Sequence, residues 1–386
     1  MARFLFVVPP LVGHVNPTVS VARALEARGH EVAWVGHPGT VRPLLPEGAK
    51  LIALDDRLPE ERWAAVSAEA REAHGLGALK FLWESFLFPL ARAMLPGVRA
   101  AIDAWRPDAL IVDQQAVGGA LAARQANLPW ATFATTSAGL TDPLAGLPLV
   151  RKWLDEMLAT LEREAGLPAT TDPDRSPHLV VAFTTEALVG PLDRFPAHYR
   201  FVGPSIHERP EATPFPWEAL APGRRVLVSL GTVNAEAGAR FYPIAIEALS
   251  FPGAPQVILA APPHLVGEVP SNVIVRPYVP QLALLPHVNA VVCHGGHNTV
   301  CEALAVGLPL VVLPIKHDQP VVAQQVEAAG CGIRLKFGRV RPAELREAVR
   351  RVLEEPAFAE ATGRVRQSFS AAGGASRAAE LLEEIL

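Results

Sequence analysis

Four polar clusters, each at the end of an apolar run, could do chemistry in this 386-residue chain. The richest lies in VVCHGGHNTVCEALAVGLPLVVLPIKHDQP, residues 291–320. An apolar run ends in His294 and two glycines, and a helix start follows at Asn298 and Thr299. A Gly-rich turn leading into a helix N-terminus favours an anion, because free N–H groups and the helix dipole point at it. Gly296 lets the backbone come close, and His294 can add a hydrogen bond to a phosphate. A second apolar run, Leu310 to Leu313, is followed by Asp318 and Gln319. A carboxylate and an amide together suit a polyhydroxylated ligand. Phosphate at one strand end and sugar-like hydroxyls at the next spell a nucleotide sugar. A third run, RVLVSL (225–230), leads into Ser229, Gly231 and Thr232 in VSLGTV, a small hydroxyl-bearing turn able to contact phosphate. In the N-terminal half, His14 follows the apolar run RFLFVV in the loop PPLVGHVNP, and Asp113 ends the run ALIVD. The ordinary imidazole pKa of about 6.5 suits a general base. On parallel strands His14 and Asp113 emerge at one sheet edge, where the carboxylate could hold the imidazole tautomer. Asp113 could instead cap the following helix, since DQQAVGG reads as a helix start. Asp108, after Pro107, reads as a turn residue.

Upstream, Tyr278-Val279-Pro280-Gln281 completes a pattern that continues through His294, Gly296, Asn298, Thr299, Glu302, Asp318 and Gln319. It closely resembles the nucleotide-sugar signature of family 1 glycosyltransferases, which reads aromatic-x-P-Q, then HxGxNSxxE, then DQ. Tyr278 and His297 stand where the plant members have Trp, and Thr299 replaces Ser. The resemblance implies a GT-B fold, with base stacking at Tyr278-Val279, ribose binding at Glu302, phosphate contacts from Ser229, Gly231 and Thr232, and sugar binding at Asp318-Gln319. It implies a catalytic dyad of His14 and Asp113, and an acceptor pocket in the first domain. There the aromatic stretch containing Trp63, Phe81, Trp83, Phe86 and Phe88 offers Trp83 and Phe86 as pocket residues. Glu302 has a competing reading, since Thr299-Val300-Cys301-Glu302 also spells a capping box. His297 reads as an exposed loop residue or a substrate contact.

The implied reaction is inverting and metal-independent. A sugar, glucose above others, passes from a UDP-sugar to a hydroxyl of a hydrophobic natural product, as in bacterial macrolide- and carotenoid-type enzymes. A dTDP-deoxysugar enzyme of antibiotic biosynthesis and a catalytically silent nucleotide-sugar-binding partner are the alternatives. Nothing in the sequence requires a cofactor. Asp172-Pro173-Asp174 spells D-x-D, but in a turn-rich loop far from the nucleotide motif, so no metal is expected. No GxGxxG follows either half's first strand, which argues against an NAD-dependent oxidoreductase.

Composition is that of an ordinary globular protein: half hydrophobic, a fifth charged, net charge −4. That balance, without a Lys/Arg-rich run, argues against nucleic-acid binding. Cys293, Cys301 and Cys331 lie in apolar or helical contexts without CxxC spacing, as expected of reduced thiols in the cytoplasm. No apolar run reaches the roughly 18 residues that span a bilayer. A monomer or homodimer is expected.

The elements that must position these residues form two α/β runs. Strands are expected at 3–8, 31–36, 50–54, 109–113, 130–134 and 179–183, with a helix from Pro17 to Arg28 opened by Asn16 and closed by Gly29. Residues 203–224, dense in Pro and polar, read as a linker. Strands resume at 225–230, 256–261, 273–276, 290–293 and 310–314, and the chain from 342 is mostly helical. Two doubly wound Rossmann-like parallel-sheet domains facing a cleft follow: 1–205 for the acceptor, and 225–369 for the nucleotide sugar after a 206–224 linker. By the resemblance, 370–386 crosses back to the first domain.

Overall fold

The structure, a computed structural model, describes residues 1–54, 76–140, 144, 146–206, 213–231 and 236–386. It divides into two compact units. The first comprises Met1–Thr184, Leu192–His207 and Ala372–Leu386; the second comprises Thr185–Pro191 and Glu208–Ala371.

The first unit is built on a parallel sheet of β1 (Arg3–Val7), β2 (Glu31–Gly36), β3 (Leu51–Ala53), β4 (Ala109–Asp113), β5 (Trp130–Ala134), β6 (Val180–Ala182) and β7 (Tyr199–Phe201), in the order β3-β2-β1-β4-β5-β6-β7. Continuous apolar strands form because both faces are covered. Alternation along β1 shows it. Phe4 and Phe6 join one core with Trp34 and Phe133, while Leu5 and Val7 join another with Val35 and Val112. The first core is closed by α1 (Val12–Ala27) and the second by α2 (Phe88–Trp105) and α3 (Val117–Gln125). Helices α2 and α3 approach closely at Gly118, where a Cβ would lie 2.5 Å from the Ala91 carbonyl oxygen. Before α2 the backbone runs through a π-helical turn, Leu82–Leu87. A further helix, α4 (Pro148–Glu164), packs on α2.

The second sheet, also parallel, has the order β10-β9-β8-β11-β12-β13. Its strands are β8 (Arg225–Ser229), β9 (Gln256–Ala260), β10 (Val273–Arg276), β11 (Ala290–Cys293), β12 (Leu310–Val312) and β13 (Gly332–Arg334). Helices α5 (Phe241–Ala248), α6 (His297–Ala305), α7 (Gln319–Ala328), α8 (Pro342–Glu354) and α9 (Pro356–Ala371) flank it. The short helix Glu186–Val189 belongs to this unit although the sequence reading placed it in the N-terminal domain. It packs on α7 and α9, and Ser368 donates to the Thr185 hydroxyl at 2.8 Å.

The last helix, α10 (Gly374–Glu383), belongs to the first unit and lies along α1. Ala378, Ala379, Leu381 and Leu382 enter the core that holds Phe4 and Trp34. Glu383 accepts from Arg28 Nε at 2.9 Å and pairs with His30 Nε2 at 2.7 Å. The turn into α10 needs positive φ at Gly373 (86°) and Gly374 (54°), a conformation that costs glycine least.

Three expectations about elements need correction. The first helix begins at Val12, not after Asn16, because the Leu11 carbonyl accepts from His14 and Val15 at 3.0 and 3.1 Å and closes the turn earlier. Pro17 therefore lies inside the helix. Strands β7 and β13 escaped the sequence reading. Both are three-residue edge strands with only partial burial, so neither shows the apolar run that marks a central strand. Among the described residues no helix is long and apolar enough to cross a membrane.

Candidate active site

In the first unit, His14 and Asp113 meet. The parallel register of β1 and β4 pairs Val7 with Val112, so the segments that leave both strands emerge at one edge. His14 is the third residue of α1, in its first turn instead of in a loop. Its Nδ1 lies 2.9 and 3.0 Å from the two Asp113 carboxylate oxygens. Asp113 is the last residue of β4 and only 2% exposed. It does not cap α3, whose N-cap is Ala116 with no side-chain bond; instead its Oδ1 accepts from the Gln115 N–H at 2.8 Å. Asp108, at the far end of β4, accepts from the Arg3 N–H at 2.7 Å and serves the strand edge.

A third residue joins the pair. The Thr135 hydroxyl donates to Asp113 Oδ2 at 2.7 Å and lies 2.8 Å from His14 Nδ1. Thr135 follows β5, the other parallel neighbour of β4, and is buried. The sequence offered one clue, a run of three hydroxyl residues (Thr135, Thr136, Ser137) directly after an apolar strand. With its proton on the carboxylate, the Thr135 oxygen can only accept from Nδ1. A bare Nδ1 would set its lone pair against Asp113. Both neighbours therefore fix the proton on Nδ1 and leave Nε2 as the basic nitrogen.

Trp83 and Phe86 occupy the π-helical turn. Phe86 is buried in the core with Leu90 and Val112, which identifies it as a packing residue. Trp83 is half-buried against the same core and its neighbour under α4. Trp63 lies outside the described residues.

In the second unit, the residues of the long motif and of the Ser229 turn follow β8, β10, β11 and β12. His294 follows β11, and its ring fits between two glycines. A Cβ at Gly231 would come within 2.8 Å of the imidazole, and one at Gly296 within 2.6 Å. Burial pushes the His294 pKa down to about 4, against the opposing charge of Asp318 and a favourable Ser229 backbone. Nδ1 of His294 is buried without a hydrogen-bond partner. His294 is thus a neutral imidazole held rigidly beside the N-terminus of α6. Ser229 is buried and its Oγ accepts from the Gly231 N–H at 3.3 Å. Thr232 lies outside the described residues.

Glu302 is buried and accepts from Gln281 Nε2 at 2.5 Å, which joins the Pro-Gln pair to α6. The capping-box alternative does not form, because the N-cap of α6 is Gly296 and Glu302 falls beyond the first turn. Asn298 and Thr299 lie in that first turn, half-buried. His297 opens α6 and is buried, not an exposed loop residue; its ring packs on Cys301 one turn later, with Nε2 3.5 Å from the sulfur. Tyr278 is 63% exposed while Val279 packs on the core, so the tyrosine ring stands open to solvent. Asp318 is the N-cap of α7 and Gln319 its first residue. Gln319 Oε1 accepts from the Ile315 and Lys316 N–H groups at 2.8 and 3.0 Å. That clamp holds the loop in which His317 adopts a left-handed φ of 57°. The amide thus builds the loop that presents Asp318, a role its sequence position did not suggest.

Asp172 is exposed, and the Asp174 carboxylate lies 3.9 Å from Arg175 Nε. Among the described residues no group of three or more His, Cys, Asp or Glu is arranged to hold a metal. All three cysteines are free and buried, and burial raises the thiols of Cys293 and Cys331 to about 12. They are unreactive packing groups.

Residues 253–385 match a family described as the C-terminal domain of erythromycin biosynthesis protein CIII-like proteins. The 4'-demethylrebeccamycin synthase of Lentzea aerocolonigenes is 31% identical over 423 residues that cover all of both chains. The chain belongs to the family 1 glycosyltransferases. This glycosyltransferase also resembles solved structures along its whole length. The glycosyltransferase of kitacinnamycin matches with a TM-score of 0.83 and 28% identity, over 100% of this chain and 99% of that one. Spinosyn rhamnosyltransferase SpnG, solved with thymidine diphosphate, matches with a TM-score of 0.74 and 25% identity, over 99% and 100%. The two doubly wound units of the glycosyltransferase are those of the GT-B fold, in its bacterial natural-product branch.

Proposed function

We propose that this glycosyltransferase is inverting and metal-independent and moves glucose from UDP-glucose to a hydroxyl of a hydrophobic natural product. The observation that carries the reading is the contact of the partly buried His14 with the buried Asp113, which favours the proton on Nδ1 and leaves Nε2 as the base. The acceptor oxygen attacks the anomeric carbon as its proton passes to Nε2; Asp113 stabilises the imidazolium, and UDP departs from the opposite face. An α-linked sugar thereby becomes β-linked. The acceptor class follows the natural-product relatives, rebeccamycin and kitacinnamycin among them. An intact dyad speaks against a silent binding partner.

On the nucleotide side, the open Tyr278 ring offers a face for the base and the buried Glu302 a carboxylate for a ribose diol. Gly296, the neutral His294 and the α6 N-terminus meet the diphosphate, and Asp318 meets sugar hydroxyls on the loop that Gln319 clamps. With that charge met by the protein, no metal is needed. Turnover is expected to persist unchanged in EDTA. Loss on chelation, restored by Mg²⁺ or Mn²⁺, would refute this and return attention to Asp172 and Asp174.

A 2'-deoxyribose lacks the second hydroxyl of the diol, and a deoxygenated sugar leaves Asp318 under-used; unmatched polar sites reject strongly. UDP-glucose should therefore outcompete dTDP-glucose offered at equal concentration. The second reading, a dTDP-sugar enzyme, draws on SpnG, which binds thymidine diphosphate in its solved structure. A kcat/KM preference for dTDP-glucose in that competition would establish it instead.

A further inference from the structure

We propose that Thr135 is a positioning residue that tempers the basicity of His14 by taking up part of the Asp113 charge. The proposal rests on the reading of His14 as the base. Three donors converge on the buried carboxylate: the Gln115 N–H at 2.8 Å, His14 Nδ1 at 2.9 and 3.0 Å, and the Thr135 hydroxyl at 2.7 Å. The hydroxyl is thus the shortest of the three contacts and the one that also touches the imidazole, at 2.8 Å. It does two things. As acceptor from Nδ1–H it narrows the ring's orientation. As donor to Oδ2 it draws off negative charge that would otherwise face Nδ1 and stabilise the imidazolium. Among the described contacts, Asp113 on the end of β4 is a charged group that meets His14, and the end of β5 supplies the neutral Thr135. Base strength at Nε2 is then set by how the carboxylate is shared.

The surroundings fix the hydroxyl in place. Thr135 is buried, so its side chain has little room to rotate. The next residue, Thr136, caps the turn Ser137–Gly139, accepting from the Ala138 N–H at 3.4 Å. Arg175 pins that turn from the other side, donating to the Gly139 carbonyl at 2.5 Å and to the Tyr199 hydroxyl at 3.1 Å. A turn held at both ends keeps the residue before it from drifting out of the His14–Asp113 contact.

The test compares Thr135→Val, which keeps the shape and deletes the hydroxyl, with Thr135→Ser, which restores it. Both are read by the pH profile of kcat/KM, with thermal melting as a control. In the valine variant the carboxylate faces His14 more fully, so the imidazolium is favoured and its apparent pKa rises. Because the neutral base is the active form, the acid limb should move upward by about 0.5–1 unit. The plateau should fall roughly tenfold, as when an orienting partner is removed. Serine should return both toward wild type. An acid limb that stays at the wild-type pH, whatever the plateau does, overturns the proposal, since a merely structural threonine would lower rate or melting temperature without moving the limb. If the valine variant does not fold, Thr135→Ala deletes the same hydroxyl with less demand on packing and is held to the same outcome. Full activity in His14→Ala would instead defeat the base assignment itself, independently of how Thr135 behaves.

Discussion

Replacing His14 with alanine is expected to lower single-turnover transfer by about two to four orders of magnitude while leaving UDP affinity nearly unchanged. The separation follows from where the side chains sit. His14 belongs to α1 of the first unit and touches Asp113 and Thr135, whereas the residues assigned to the nucleotide all lie in the second unit. Without Nε2 the acceptor hydroxyl must lose its proton to water, and Asp113 is left buried with no cation to stabilise. Rapid-quench kinetics under saturating donor, with UDP titrated calorimetrically, would check both halves. Wild-type turnover in the variant would remove His14 from the mechanism. A collapse of UDP affinity would move it to the nucleotide site.

The converse result is expected of Gly296→Ala, which should weaken UDP binding by about ten- to a hundredfold and leave the His14 chemistry alone. Gly296 has a φ of −61°, which alanine adopts freely, so the effect is steric and not a matter of backbone strain. The new Cβ would sit 2.6 Å from His294 Nε2. The Gly231 backbone flanks the ring as well, since a Cβ added there would come within 2.8 Å of it, and this limits how far the imidazole can retreat. Overpacking of about 1–3 kcal/mol then appears as displacement of His294 from the α6 N-terminus, and each 1.4 kcal/mol is about tenfold in affinity. Unchanged UDP affinity in a variant that melts like wild type would show that this ring and helix end do not meet the diphosphate.

These two sites were unequally legible in the sequence. The central strands β1, β2, β4, β5, β8, β9, β11 and β12 announced themselves as apolar runs, because a strand buried on both faces has no polar side to interrupt it. That pattern places His14 and Asp113 at one sheet edge, since parallel strands deliver their ends there; their pairing as a dyad comes from the family resemblance, and the adjacency of β1 and β4 from the structure. What the sequence concealed depends on three-dimensional packing. Nothing local reveals that Leu11, not Asn16, opens the first helix, or that β7 and β13 extend the sheets with only three residues each. Thr135 stood 22 residues from Asp113 in a run of hydroxyl residues that could equally have been a loop. Glu302 satisfied a capping pattern that the true start of α6, at Gly296, makes irrelevant. Gln319 read as a ligand contact, while its Oε1 is used by two backbone amides of the preceding loop. In each case residue type and spacing left the local hydrogen bonds open, and only the position of the backbone decides which of them form.

The central claim is a single displacement in which a base on one face of the sugar activates the acceptor while the diphosphate leaves from the other. Its most direct test is the anomeric configuration of the first product formed from an α-configured UDP-sugar. The product is read by the proton coupling constant at the anomeric carbon before any secondary hydrolysis. The His14–Asp113 arrangement predicts a β-linked product from the wild-type enzyme. An α-linked product would contradict it, because retention demands either a covalent intermediate or attack from the leaving-group face, and neither uses a base placed as His14 is proposed to be.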